Sequence, residues 1–262
     1  MADARPVKIQ VEGLTKSFRT ERGDHLEVLR GVTVDVYERE FVSLIGPSGS
    51  GKTTLLNLIA GLALPSTGRI LVDGRPVTGP GRDRGVVFQQ DAILPWRSVL
   101  RNVEYGLELR GEPRAARRDV ARRFTRLVGL ERFEHFYPKE LSGGMKKRVA
   151  LAAVFANNPD VLLMDEPFGS LDYPSKLALQ RELLHVWDTE RKTTLFVTHD
   201  LEEALFLSDR VFALHQGTID TIVTVPLPRP RADELRTTAE FQELKRRLWR
   251  YLGAGDSEPS HA

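Results

Sequence analysis

Gly46, Gly51, Lys52 and Thr53 stand in the spacing GxxxxGK[ST], inside the run Gly46-Pro47-Ser48-Gly49-Ser50-Gly51-Lys52-Thr53-Thr54. Those residue types suit a polyphosphate. Small residues let the backbone wrap a polyanion and aim N–H groups at its oxygens, and a helix starting behind the loop adds positive potential. Lys52 supplies a point charge for the outer phosphates, and the Thr53 hydroxyl is a magnesium ligand. Far downstream, VLLMDEP places Asp165 and Glu166 after four apolar residues. At the C-terminal end of a buried strand, where open α/β sheets bind ligands, Asp165 suits the metal, through water. Glu166 suits the proton of an attacking water, an effect worth roughly 10²–10⁴-fold in rate. The bland alternatives are a glycine-rich turn and a pair of surface acids.

The elements that must hold these groups alternate. Val7 to Leu14 and Val28 to Val36 read as strands, and Phe41 to Ile45 is a short apolar run of the kind a buried parallel strand shows. That run leads straight into the glycine loop and then into TLLNLIAGL, an apolar-periodic helix stopped by Gly61. Arg69–Val72 and Gly85–Phe88 are further strands; Ser98 to Phe155 reads as helices, including an arginine-rich stretch from Arg114 to Leu130 and a helix starting near Gly143. Alternation resumes with strands at Val161–Met164, Thr194–Thr198 and Arg210–Leu214 and helices at Pro174–Thr189 and Leu201–Leu207. The fold class is therefore α/β with a mainly parallel sheet covered on both faces. The chain divides into a main domain over 5–225 with a helical subdomain at about 92–158, a spacer VPLPRPR and amphipathic helix over 226–252, and a disordered tail from 253 to 262.

Composition narrows the function classes. The chain has 262 residues, 38 basic against 36 acidic, so a net charge of +2 gives no general case for nucleic acid. Without cysteine there is no disulfide, thiol nucleophile or thiolate metal site. Apolar stretches such as Leu55–Leu64 fall short of the roughly 20 residues of a membrane span, and Met1–Gln10 lacks an apolar signal core. Work at a membrane is expected through partners.

LSGGM at Leu141–Met145, upstream of VLLMDEP and downstream of the glycine loop, resembles the signature of the ATP-binding cassette (ABC) transporter ATPases. The ordered motifs cover about residues 7 to 220. The resemblance implies a P-loop NTPase fold with an N-terminal antiparallel β part and an inserted helical subdomain, and ATP and Mg2+ as ligands. It implies that Ser142, Gly143 and Gly144 open a helix whose N-terminus meets the γ-phosphate held by a second ATPase subunit, in a homodimer or with a homologous chain. The bland alternative is a plain N-cap. Phe18 matches the aromatic that stacks on adenine, with a core phenylalanine as the other reading. Gln89 matches the residue that contacts magnesium and the attacking water, with Gln90 as the alternative register. His199 matches the switch histidine, and Ser170, Leu171 and Asp172 the loop that crosses the dimer interface. Catalytic roles thus fall on Glu166, His199, Gln89 and Lys52, and metal ligation on Thr53, Gln89 and Asp165. Met145 and Ala153 depart from the commoner glutamine and arginine without removing a group assigned to catalysis.

Within that family the segments GVVFQQDAILPWRSVLRNVEYGLELRG and MDEPFGSLD resemble importer ATPases of the nitrate/sulfonate/taurine group. This implies transmembrane permease subunits, an extracytoplasmic binding protein acting indirectly, no nucleic acid, and a place on the cytoplasmic face of a bacterial-type membrane. Leu94 and Trp96 are either permease contacts or subdomain core. In the C-terminal helix Phe241, Leu244, Leu248 and Trp249 are expected on one apolar face that packs on the cassette, or else on lipid or permease. The arginines from Arg114 to Arg126 are expected on a solvated face. The rival functions are a lipid-trafficking or export ATPase, a non-transport cytosolic ABC ATPase, and a cassette that binds nucleotide without cleaving it.

Overall fold

The computed structural model describes residues 5–19, 23–90, 92–169 and 171–253. Ser170 and the tail from 254 onward lie outside the described residues. In chain order the elements are β1 (Val7–Arg19), β2 (His25–Tyr37), β3 (Phe41–Ile45), α1 (Lys52–Ala60), β4 (Thr67–Val72), β5 (Arg75–Pro76) and β6 (Arg84–Val87). The helical stretch follows: α2 (Val99–Val103), α3 (Tyr105–Leu109), α4 (Arg114–Leu127) and α5 (Gly143–Ala156). Then come β7 (Val161–Asp165), α6 (Tyr173–Glu190), β8 (Thr193–Val197), α7 (Leu201–Leu207), β9 (Arg210–His215), β10 (Thr218–Thr224) and α8 (Ala239–Gly253). They form two compact units, Arg82–Lys192 and the segments on either side of it.

In the unit made from the flanking segments, β2, β1, β4 and β5 form an antiparallel sheet in that order. A second sheet runs β10, β9, β3, β8, with β3 parallel to both its neighbours and β10 antiparallel at the edge. All five residues of β3 and of β8 are buried, which is why both read as unbroken apolar or small runs rather than alternating ones. Glu40, fully buried just before β3, accepts from Arg210 Nε at 2.7 Å, tying the start of β3 to β9. Burial pushes its carboxyl up, while the Tyr37 N–H and Arg210 pull it back down. Gly61 ends α1 at φ 76°, and a Cβ there would lie 2.1 Å from Gly79 O, so only glycine fits.

The proline-rich segment after β10 is fastened down, which corrects its reading as a spacer. Arg229 donates to Leu207 O at 2.7 Å and pairs with Asp209, and Arg231 donates to Leu205 O and Phe206 O at 3.1 and 3.0 Å. The last carbonyls of a helix have no partner within it and carry the negative end of its dipole, and these guanidiniums answer α7. Beyond it α8 packs on α7, with Phe241 and Leu248 fully buried and Lys245 Nζ 2.5 Å from Glu202 Oε1. Trp249 is not on that face; it is 67% exposed. One step along an α-helix turns about 100°, so the neighbour of a fully buried Leu248 swings out of the seam.

In the other unit β6 and β7 pair in parallel, from Arg84 opposite Val161 to Val87 opposite Met164. Helices α2, α4 and α5 pack together, with Phe124 of α4 stacked on Phe155 of α5 at 6.4 Å between ring centres. Arg148 of α5 pairs with Glu182 of α6 at 2.9 Å.

Candidate functional site

The glycine loop follows β3. Gly46 sits so close to β9 that a Cβ would lie 2.1 Å from Leu214 O and 2.8 Å from Ser50 Oγ. Gly51, at φ 105°, would meet Leu29 and Val28. These contacts account for glycine at both ends of the motif. Lys52 is only 7% exposed, and its Nζ donates to Gly46 O at 2.9 Å and Pro47 O at 3.0 Å, curling the ammonium back along the loop. Helix α1 starts on Gly51 with no side-chain cap and no acid in its first turn. Ser50 Oγ is buried and makes no hydrogen bond. An uncapped helix start, a buried cation and an orphaned hydroxyl in one loop fit an anion with several oxygens. Thr53 is exposed, as a metal ligand at the mouth of such a loop has to be.

His199 belongs to the same unit. Leu44 of β3 pairs with Val197 of β8, so Gly46 and His199 leave adjacent parallel strands two positions beyond a matched pair. Both therefore emerge at the C-terminal ends of the strands, where open α/β sheets bind ligands. The exposed His199 is held between ordered neighbours: Thr198 Oγ1 donates to Glu203 Oε2 at 2.6 Å, and Asp200 caps α7 by accepting from the Glu202 and Glu203 N–H groups. Phe18, near the end of β1, is 45% exposed with Lys16 Nζ 5.0 Å from its ring centre, which removes the core reading.

In the other unit Asp165 ends β7, buried, and Glu166 follows with a left-handed backbone at φ 42°. A non-glycine residue pays strain for that conformation, and such residues gather at functional sites. Gln89 follows β6, and its Nε2 is 3.5 Å from Glu166 Oε2, a long contact that selects Gln89 over Gln90 as the residue beside the acid. Lys147 of α5 donates to the Gln89 and Phe88 carbonyls, fixing the backbone at that point.

Ser142 caps α5 by accepting from Met145 N at 3.3 Å, and Gly143 and Gly144 form the first turn with open space where their Cβ atoms would stand or, for Gly144, a contact no nearer than 3.7 Å. Asp172 caps α6 through Ser175 N at 3.2 Å; the Ser175 side chain and backbone hold its carboxyl below the usual range. Trp96 is 70% exposed, so it is not core. Its loop is clamped by the buried Asn102 amide, which accepts from Leu94 N at 2.7 Å and donates to Leu94 O, Arg97 O and Ser98 O.

Sequence reasoning missed Lys147 and Asn102. Lys147 was detectable in principle, because it falls on the i, i+4, i+8 stripe with the buried Leu151 and Phe155. A buried lysine on an apolar stripe needs acceptors. Asn102 has no comparable signal.

A sequence profile described as ABC transporter matches residues 29–169. An uncharacterized ABC transporter ATP-binding protein of Methanocaldococcus jannaschii is 50% identical over 252 residues, 95% of this chain and 93% of its own. A nitrate import ATP-binding protein of Synechocystis is 42% identical, covering 97% and 98%. A taurine import ATP-binding protein of Rhizobium johnstonii is 48% identical, covering 92% and 94%. Among solved structures, a dimeric ATP-binding cassette in a post-hydrolysis state, bound to ADP and Pi, aligns with a TM-score of 0.75 at 32% identity, over 84% of this chain and all of that one.

Proposed function

Because this chain belongs to the ABC transporter family, we propose that it powers import of a small anion, of the nitrate, sulfonate or taurine type, through partner permease subunits. The chain is an ATP-binding, ATP-hydrolysing subunit. Its direction of transport and its cargo class are our reading, and the observation that carries them is the near full-length likeness to nitrate and taurine import ATP-binding proteins. No helix among the described residues is long and apolar enough to cross a membrane. In this reading the permease holds the chain at the cytoplasmic face.

In this reading the backbone of Gly46 to Thr54 and the Lys52 ammonium bind the phosphates, and Phe18 stacks on the base. Thr53, Gln89 and Asp165 would hold magnesium, which would neutralise phosphate charge when bound. Glu166 accepts the proton of a water whose oxygen forms a bond to the γ-phosphorus as the bond to the β-phosphate oxygen breaks. Gln89 keeps the Glu166 carboxylate turned to that water, and His199 meets the γ-phosphate. Ser142, Gly143 and Gly144 serve the nucleotide of a second copy of the chain, with Asp172 at the junction. Binding energy then closes the pair and moves the permease.

The test is reconstitution in vesicles with candidate permease subunits. ATP-dependent accumulation of an oxyanion on the same side of the membrane as the ATPase supports the reading. Movement of lipid, or transport of solute away from the ATPase side, overturns it while leaving the ATPase assignment intact.

A further inference from the structure

The arginine-rich helix is not a uniformly solvated face. Arg122 and Arg123 pair with Glu134 and Glu190, but Arg114, Arg117 and Arg118, at the start of α4, turn with Arg97 and Arg101 of the α2 region into a cavity of about 260 Å3. That is several times the roughly 30 Å3 share of a water molecule. Only Glu104 and Glu108 among its lining residues are acidic. Glu108 takes Arg97 at 2.5 Å, with Arg97 also stacked over Tyr105, and Glu104 takes Arg117 at 3.7 Å. Arg101, Arg114 and Arg118 form no close ion pair in the lining, although Arg101 lies within electrostatic reach of Glu108, and the Arg118 Nε is buried with no hydrogen-bond partner.

The helix itself adds to the imbalance. α4 starts on Pro113 with no side-chain cap and no acid in its first turn. Helix starts carry positive potential and favour anions; this one sets arginines there instead. Guanidiniums gathered at the positive end of a helix repel one another until an anion lies among them.

We propose that the cavity between α2, α3 and the start of α4 binds a phosphate-class oxyanion through Arg101, Arg114 and Arg118. Its source is either the free ion or a phospholipid headgroup, since the recognising chemistry is the same. The site is separate from the glycine loop and does not depend on the cargo assignment.

The full chain, with saturating Mg-ADP to occupy the glycine loop, is titrated with inorganic phosphate by calorimetry at low ionic strength. In parallel it is floated with vesicles of phosphatidylglycerol and phosphatidylcholine in equal parts, or of phosphatidylcholine alone. Saturable phosphate binding without flotation assigns the free ion, and flotation only with phosphatidylglycerol assigns the headgroup. In either case Arg101→Gln weakens binding about tenfold, the loss of one charge-assisted hydrogen bond. Arg101 is exposed, so its substitution spares folding even where Arg118→Gln does not. Arg126→Gln removes the same charge from an exposed position outside the cavity and leaves binding unchanged. Absence of both kinds of binding, or equal losses in Arg101→Gln and Arg126→Gln, overturns the proposal.

Discussion

Gln89 Nε2 lies 3.5 Å from Glu166 Oε2, and the two residues leave parallel strands at matched positions, each two beyond the register pair Val87 and Met164. The pairing follows from the strands. Parallel neighbours in register deliver their C-terminal residues side by side, and Lys147 then fixes the Gln89 carbonyl from α5. At 3.5 Å the contact orients the carboxylate more than it binds it.

Gln89→Ala should therefore lower the rate of hydrolysis at least about tenfold while changing the affinity for magnesium-free ATP little, because a misaimed base costs rate rather than binding. Steady-state turnover alongside equilibrium nucleotide binding checks this. A loss of affinity with turnover per bound nucleotide unchanged would speak against a positioning role.

Phe18 offers a test that folding does not confound. Phe18 is 45% exposed and outside the core, so Phe18→Ala leaves the thermal midpoint nearly unchanged. Loss of an aromatic face under a base is worth about 1–3 kcal/mol, so the dissociation constant for ATP should rise about tenfold. Tyrosine at this position should restore most of the affinity.

Asn102 separates scaffold from surface. Its amide satisfies backbone groups of Leu94, Arg97 and Ser98 in the loop that displays Trp96. Asn102→Ala orphans them, and an unsatisfied buried group costs about 1–3 kcal/mol. Urea denaturation should show that loss. Trp96→Ala, by contrast, should keep stability and the isolated chain's ATP turnover but weaken co-purification with permease subunits.

How much was legible beforehand depended on whether a residue's role is local. Phe41–Ile45 and Leu201–Leu207 have the observed bounds, and Gly61 does end α1, because buried strands, helix periods and left-handed caps leave signals within a few residues. The glycine loop and the LSGG helix start are likewise local patterns. The fastening of Arg229 and Arg231 on α7 was hidden, since prolines signal an irregular backbone without saying what it lies against. β10 escaped because a solvent-facing edge strand such as TIDTIVT carries a weak pattern. Trp249 was misread because hydrophobicity alone placed it, when its angular position on α8 sets it outside the buried seam. The cavity of arginines was invisible for the same reason: charge runs do not reveal which side chains converge.

The central claim is that Glu166 takes the proton of the attacking water in a chain that hydrolyses ATP. Single-turnover hydrolysis of radiolabelled ATP by Glu166→Gln, with ATP binding measured on the same sample, tests it most directly. The account predicts intact binding and hydrolysis slowed by about 10²–10⁴-fold, the usual contribution of a positioned general base. Hydrolysis at the unsubstituted rate would contradict it.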